Sequence, residues 1–146
     1  MVVKNLRASR EDMDLKQKDI AEMFNVNFST VSGWETGKDT IPLERLVEYA
    51  NRFNFSLDYL FGIRKINDTS YLPLTLNLDV IAKNLKRIRK EYNLTQEDVS
   101  KIINTSQASY AHYENSIYLI PTNFLYNLTK IYKNISIDSL LGRKKK

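Results

Sequence analysis

The sequence predicts an all-α protein of two tandem five-helix domains joined by a partly packed linker, and three observations carry that reading. In the stretch Gln17 to Glu35, QKDIAEMFNVNFSTVSGWE, apolar side chains fall at Ile20 and Phe24, then Val26, then Val31 and Trp34. A helical spacing of three to four is thus interrupted once and resumed, as in two short helices clamped by a tight turn. The same stretch recurs 79 residues downstream, from Gln96 to Glu114. Finally, 146 residues with 42% hydrophobic content can fill two small cores, each domain having roughly 60 to 65 residues, near the lower size at which domains fold unaided.

The repeat extends well beyond that stretch. At the offset of 79, twelve identities link the two halves: Lys4, Asn5, Leu6, Arg10, Leu15, Gln17, Asp19, Asn25, Glu35, Ile41, Pro42 and Leu46. One residue is inserted near Asn134, after which Ser56, Asp58, Leu60 and Gly62 recur as Ser136, Asp138, Leu140 and Gly142. An internal duplication explains this pattern better than chance. The expected boundaries are 1–62 for the first domain, 63–78 for the linker, 79–142 for the second domain and 143–146 for a basic tail.

Residues 2–12 read as a first helix with Leu6 facing inward, and Ile81 to Glu91 as its counterpart. In the clamped pair, Asn25 and Asn104 stand where the chain must reverse, and Asn tolerates the left-handed conformation best among non-glycine residues. Ala21 and Ser100 are small enough for a second helix to cross closely, and Asn27 and Ser106 stand at the N-cap of that second helix. A polar loop, Thr36 to Asp39, contains Gly37, free to take positive φ. Pro42 opens a fourth helix at a favoured first-turn position, with Leu43, Leu46, Val47, Ala50 and Phe53 on one face. Ser56 or Asp58 opens a short fifth helix ending at Gly62; its apolar residues Phe55, Leu57, Leu60 and Phe61 can close the domain's own core. In the linker, Leu72, Leu74, Leu76 and Leu78 alternate with other residues, a half-buried period that predicts packing against one or both domains. Asp79 is expected to cap the helix that follows. The second copy departs at Asn115 to Ile120, where NSIYLI replaces the polar glycine loop; it is expected to pack on the first domain or to form an oligomer contact.

The clamped pair resembles the helix-turn-helix of the lambda repressor and Cro family, the XRE type. The residues that carry the resemblance are Gln17, Ala21, Asn25, Asn27, Trp34 with Glu35, and Gly37, with Asn25 in place of the family's turn glycine. The resemblance covers nearly the whole chain outside the linker and tail, and implies lambda-repressor-like domains that bind double-stranded DNA in transcriptional regulation. It also implies that Arg10 pairs with Glu35, and Arg89 with Glu114, tying the first helix to the end of the third, and that the fifth helix can pack against a partner subunit. In the family the loop after the third helix lies over a DNA phosphate, so the apolar Ile117 to Ile120 is unexpected there.

In such a motif the second helix enters the major groove by its N-terminal half while the first helix abuts a phosphate. For the first domain the predicted DNA contacts are Gln17, Asn27, Phe28, Ser29, Ser32, Gly33 and Lys38. For the second they are Gln96, Ser106, Gln107, Ala108, Ala111, His112 and Asn115. Gln17 and Gln96 suit a phosphate, as do Lys16 and Lys18. Phe28 can touch a thymine methyl, and Ser29 or Ser32 can bond to most bases. Gln107 can bond bidentately to adenine, and Ala108 or Ala111 suits a thymine methyl. The second copy therefore looks the better base reader, although solvated side chains are the plainer alternative at any one position.

The rest of the composition excludes other classes. With no Cys there is no disulfide framework or thiolate metal site, and one His cannot build a histidine cluster. Glycines 33, 37, 62 and 142 form no phosphate-cradling loop, so no catalytic residue, metal or cofactor is predicted. There is no signal-peptide core or membrane-length apolar run, which points to a cytoplasmic protein. Net charge is +5, but residues 1–62 carry 8 basic and 10 acidic side chains and residues 79–146 carry 12 and 6, so the copies differ electrostatically. A homodimer and a protein partner, such as a toxin or another regulator, are the further associations the sequence leaves open.

Overall fold

The computed structural model describes residues 1–146, and its regular secondary structure is helical, with one isolated antiparallel bridge between Tyr71 and Lys145. The first five helices are α1 (Leu6–Asp12), α2 (Gln17–Met23), α3 (Phe28–Thr36), α4 (Leu43–Phe53) and α5 (Leu57–Leu60). They are followed by α6 (Leu78–Glu91), α7 (Gln96–Ile102), α8 (Gln107–Glu114), α9 (Thr122–Leu128) and α10 (Ile137–Leu140). The fold is thus all-α, with two tandem five-helix domains and a partly packed linker.

The two first helices differ in length for a local reason. No side chain caps α1, which begins only at Leu6 and not at residue 2. The segment before it is pinned elsewhere: Asn5 donates its backbone and side-chain N–H groups to the carbonyls of Leu60 and Tyr59 at the end of α5. In the second copy Asn77 is the cap, not Asp79: its Oδ1 accepts from the N–H groups of Asp79 and Val80 at 3.0 and 3.2 Å, so α6 starts three residues before Ile81. Leu78 therefore belongs to a helix. The linker alternation is only partly realised: Leu74 is buried and Leu76 packs on the core, while Leu72 is exposed. Asn51 clasps Leu74 from both sides, donating to its carbonyl and accepting from its N–H at 2.8 Å each.

Pro42 is the N-cap of α4 rather than its first residue, and Ser56 caps α5 by accepting from Tyr59 N–H. The loops after α3 and α8 follow the same path with different chemistry. Gly37 has φ 86°, and its counterpart Ser116 is forced to φ 61°. A Cβ in that region is strained. Ser116→Gly should therefore raise stability by about 0.5 to 1 kcal/mol, the relief of strain being partly offset by the freer unfolded chain. A thermal melt below that of the parent would contradict this.

The core is continuous across the two domains. One cluster of buried apolar residues runs from Val3 and Leu46 through Leu57 and Leu60 to Leu85, Leu125, Ile137 and Leu141. Across the junction Phe61 stacks on Tyr126 with ring centroids 6.5 Å apart, and Thr122 donates its hydroxyl to the Ile41 carbonyl at 2.7 Å. Helix α5 thus closes its own domain and also packs on α10.

Candidate nucleic-acid interface

Each pair of helices is set by its turn. In the first copy Asn25 has φ 53°; its N–H bonds to the Glu22 carbonyl and that of Val26 to the Ala21 carbonyl. Asn104 has φ 66°, with the matching bonds Asn104 to Lys101 and Thr105 to Ser100. This left-handed helix ending satisfies the last carbonyls of α2 and α7 and throws the chain into a second helix at a fixed angle. Ala21 and Ser100 are buried at the crossing, as small residues there must be.

The ion pairs lock that angle from behind. Arg10 reaches Glu35 through Nε and Nη2 at 2.6 and 2.9 Å, and Arg89 reaches Glu114 in the same way at 2.7 and 2.9 Å. Each arginine also donates to a carbonyl at the start of the next segment, Leu15 or Leu94. Burial pushes both glutamates up, but the bonds from arginine and glutamine outweigh it and hold each carboxyl below its ordinary value. Gln17 and Gln96 are those glutamines: their amides donate to Glu35 at 3.0 Å and to Glu114 at 3.3 Å. Both are half-buried, so one amide N–H of each serves the frame of the motif.

The helix starts assigned to phosphate already hold carboxylates. Asp19 accepts from the Lys16 N–H at 2.7 Å, and Asp98 from the Thr95 N–H at 2.8 Å. Bonds from the Thr95 backbone and hydroxyl hold the Asp98 carboxyl below its ordinary value. Neither aspartate was among the residues singled out, although Asp19 recurs at the repeat offset.

The outward face of α3 presents Phe28 and Ser29, both exposed, with the exposed N-cap Asn27 before them and half-buried Ser32 behind. Gly33 corrects the sequence reading: it is buried. A Cβ at Gly33 would lie 2.8 Å from Asp39 Oδ2, and the Asp39 N–H bonds to the Gly33 carbonyl at 3.2 Å. Gly33 is therefore the floor on which the following loop folds back, not a base-facing position. Lys38 is exposed in that loop.

On α8 the exposed residues are Gln107 and Ala108, with Ala111 and His112 half-buried and Asn115 exposed at the C-cap. The N-cap Ser106 accepts from the Ser109 N–H at 3.1 Å. His112 occupies the position of Gly33, and Tyr118 that of Asp39; their rings meet edge to face at 5.3 Å. The packed glycine and acid of one copy have become a packed aromatic pair in the other. Ile120 is buried, whereas Ile117 and Tyr118 are 50% and 60% exposed beside α8.

The tail also departs from the sequence reading. Arg143 is no free end: it is 5% exposed and donates to the carbonyls of Leu72, Phe55 and Ala50 and to Asp138 Oδ1. Only Lys144 to Lys146 project their charges outward.

A helix-turn-helix family model matches residues 6–60 and again 85–140, which together take in most of the chain. The chain belongs to the XRE-type helix-turn-helix family. Among relatives, it is similar to the HTH-type transcriptional regulator ImmR of Bacillus subtilis, at 31% identity over 77 residues. That match covers 51% of this chain and 61% of ImmR, so the chain spans about three fifths of the relative's length. No solved structure matches. No helix is long and apolar enough to cross a membrane.

Proposed function

We propose that the chain is a cytoplasmic, sequence-specific DNA-binding regulator that represses transcription by occupying double-stranded DNA with α3 and α8 in the major groove. It acts by binding and not by catalysis. The observation that carries this reading is that both helix-turn-helix frames are complete while the N-terminal turns of both recognition helices stay open to solvent, at Phe28 and Ser29 and at Gln107 and Ala108. Side chains in those positions reach base edges in this geometry. Lys38, Lys16 and Lys18 supply phosphate contacts, each adding about 0.9 to the salt slope of binding.

The two readers are unequal. Gln107 can hold an adenine by two hydrogen bonds, worth about 1 to 3 kcal/mol of discrimination, whereas Ser29 accepts most bases. Gln107→Ala is therefore expected to weaken specific binding about ten-fold or more and Ser29→Ala by less. Equal losses in a binding titration would remove the asymmetry. A second reading, a protein partner seated on α8 and its loop, draws on the exposed Ile117 and Tyr118. A salt-dependent shift assay separates the two: a chain that prefers no duplex over random DNA at physiological salt is not a sequence-specific regulator.

A further inference from the structure

The two domains meet through the same patch on both sides. Asp138 accepts from the N–H groups of Leu57 and Asp58 at 2.9 Å each, capping α5 from outside. In return Asp58 accepts from the Ile137 N–H at 2.6 Å and the Ser136 hydroxyl at 2.7 Å, capping α10. Ser136, Ile137 and Asp138 are the repeat counterparts of Ser56, Leu57 and Asp58. A contact in which one residue meets another, and their counterparts meet in reverse, is isologous and means a two-fold relation; a head-to-tail repeat would join unlike patches.

The position of the readers follows from that axis. The Thr122 to Ile41 bond joins the first residue of α9 to the loop before α4, so the segments that lead out of the C-terminal ends of α8 and α3 both arrive at the junction. A two-fold rotation preserves the component of a direction along its own axis and reverses the rest, so the exposed faces of α3 and α8 share whatever part of their direction lies along it, and that shared side is the one from which a single duplex can meet both. A DNA duplex has two-fold axes perpendicular to its length, and two readers so related meet half-sites in inverted orientation. The patch that builds this pair is used up within the chain: Asp58 is 3% and Asp138 0% exposed. Arg143, whose counterpart is Ile63, locks the junction from the second copy alone.

We infer that one chain replaces a symmetric dimer, and that its DNA site is an inverted pair of unlike half-sites at one fixed spacing, bound by a single copy. The inference rests on the DNA-reading role above. The half-sites differ because Phe28, Ser29 and Ser32 stand in one copy where Gln107, Ala108 and Ala111 stand in the other, and these side chains suit different base edges.

The experiment is selection of duplexes by the full chain from a random pool, followed by native mass spectrometry of the complex with the selected duplex. The expected result is an inverted but non-palindromic consensus and one chain per duplex. Duplexes carrying the left half twice, the right half twice, or one half turned into a direct repeat should each bind about ten-fold or more weakly, because several base pairs are then mismatched. Asp138→Ala, which loosens the junction, should tolerate altered spacings that the parent rejects. A true palindrome holding two chains, a direct-repeat consensus, or one half-site carrying all the affinity would overturn the inference and leave DNA reading intact. Enrichment of no sequence at all would overturn both.

Discussion

Replacing Arg143 with alanine is expected to lower the stability of the chain by about 3 to 5 kcal/mol, the range for stranding one partner of a buried ion pair. The reason lies in what its guanidinium holds. Asp138 is fully buried and already accepts from two α5 N–H groups; Arg143 supplies its cation at 3.0 Å. The same fork donates to Phe55, Leu72 and Ala50, and it lies over the Tyr71 ring at 5.2 Å. No water can replace all of these at once in a site this closed. Arg143→Lys should recover only part of the loss, because an ammonium keeps the charge but not the planar fork. Urea denaturation of the three proteins measures it, and an alanine variant that unfolds within a few tenths of a kcal/mol of the parent would show the junction to be held by its apolar contacts alone. The junction also has a pH signature. Burial and the facing Asp138 push the Asp58 carboxyl above its ordinary 3.8. A raised folded value means that the folded state binds this proton more tightly, so Asp58 adds stability as pH falls through that value.

The second large effect is expected from Arg89→Ala, which strands Glu114 at 1% side-chain exposure and should also cost about 3 to 5 kcal/mol. Here the pH dependence has the opposite sign. The Glu114 carboxyl is held below its ordinary 4.5, so the stabilisation is present above that value and is lost as pH falls through the lowered folded value. The gap between parent and variant should therefore narrow in acid. Trp34, the only tryptophan, lies in the first domain and reports on it separately from the helical circular dichroism of both. Because the core is continuous, the fluorescence and circular dichroism transitions of Arg89→Ala should shift together, as expected of one cooperative unit. A Trp34 transition that stays in place while the helical signal splits in two would show that the domains unfold independently.

Much of this molecule was legible in the residues. The helix-turn-helix could be read because its determinants are local: an interrupted helical period, an asparagine where positive φ is required, and a small residue where two helices cross. The repeat doubled that evidence. Gly33 was misread for a local reason as well. On a helical wheel it shares a face with Ser29 and Ser32, and nothing in the period shows that Asp39 folds back over it. The first cap of the second domain was missed by two residues because Asn77 and Asp79 are both good caps, and only the bonds to Asp79 and Val80 N–H decide between them.

What the chain order of amino acids determined by itself was therefore the fold of each half and the difference in chemistry between the two exposed helix faces, since Phe28 and Ser29 against Gln107 and Ala108 can be compared without coordinates. What only the tertiary structure decided was the relation between the halves. Ser56, Asp58, Ser136 and Asp138 looked like ordinary helix caps and repeat markers, and Arg143 like the first charge of a basic tail. Their roles depend on partners about 80 residues away in sequence. Burial turns each aspartate into the cap of the other domain's helix and makes Arg143 the cation between them. Local periodicity carries no information about such long-range, desolvated contacts, and it is these that set two similar domains face to face about a two-fold axis.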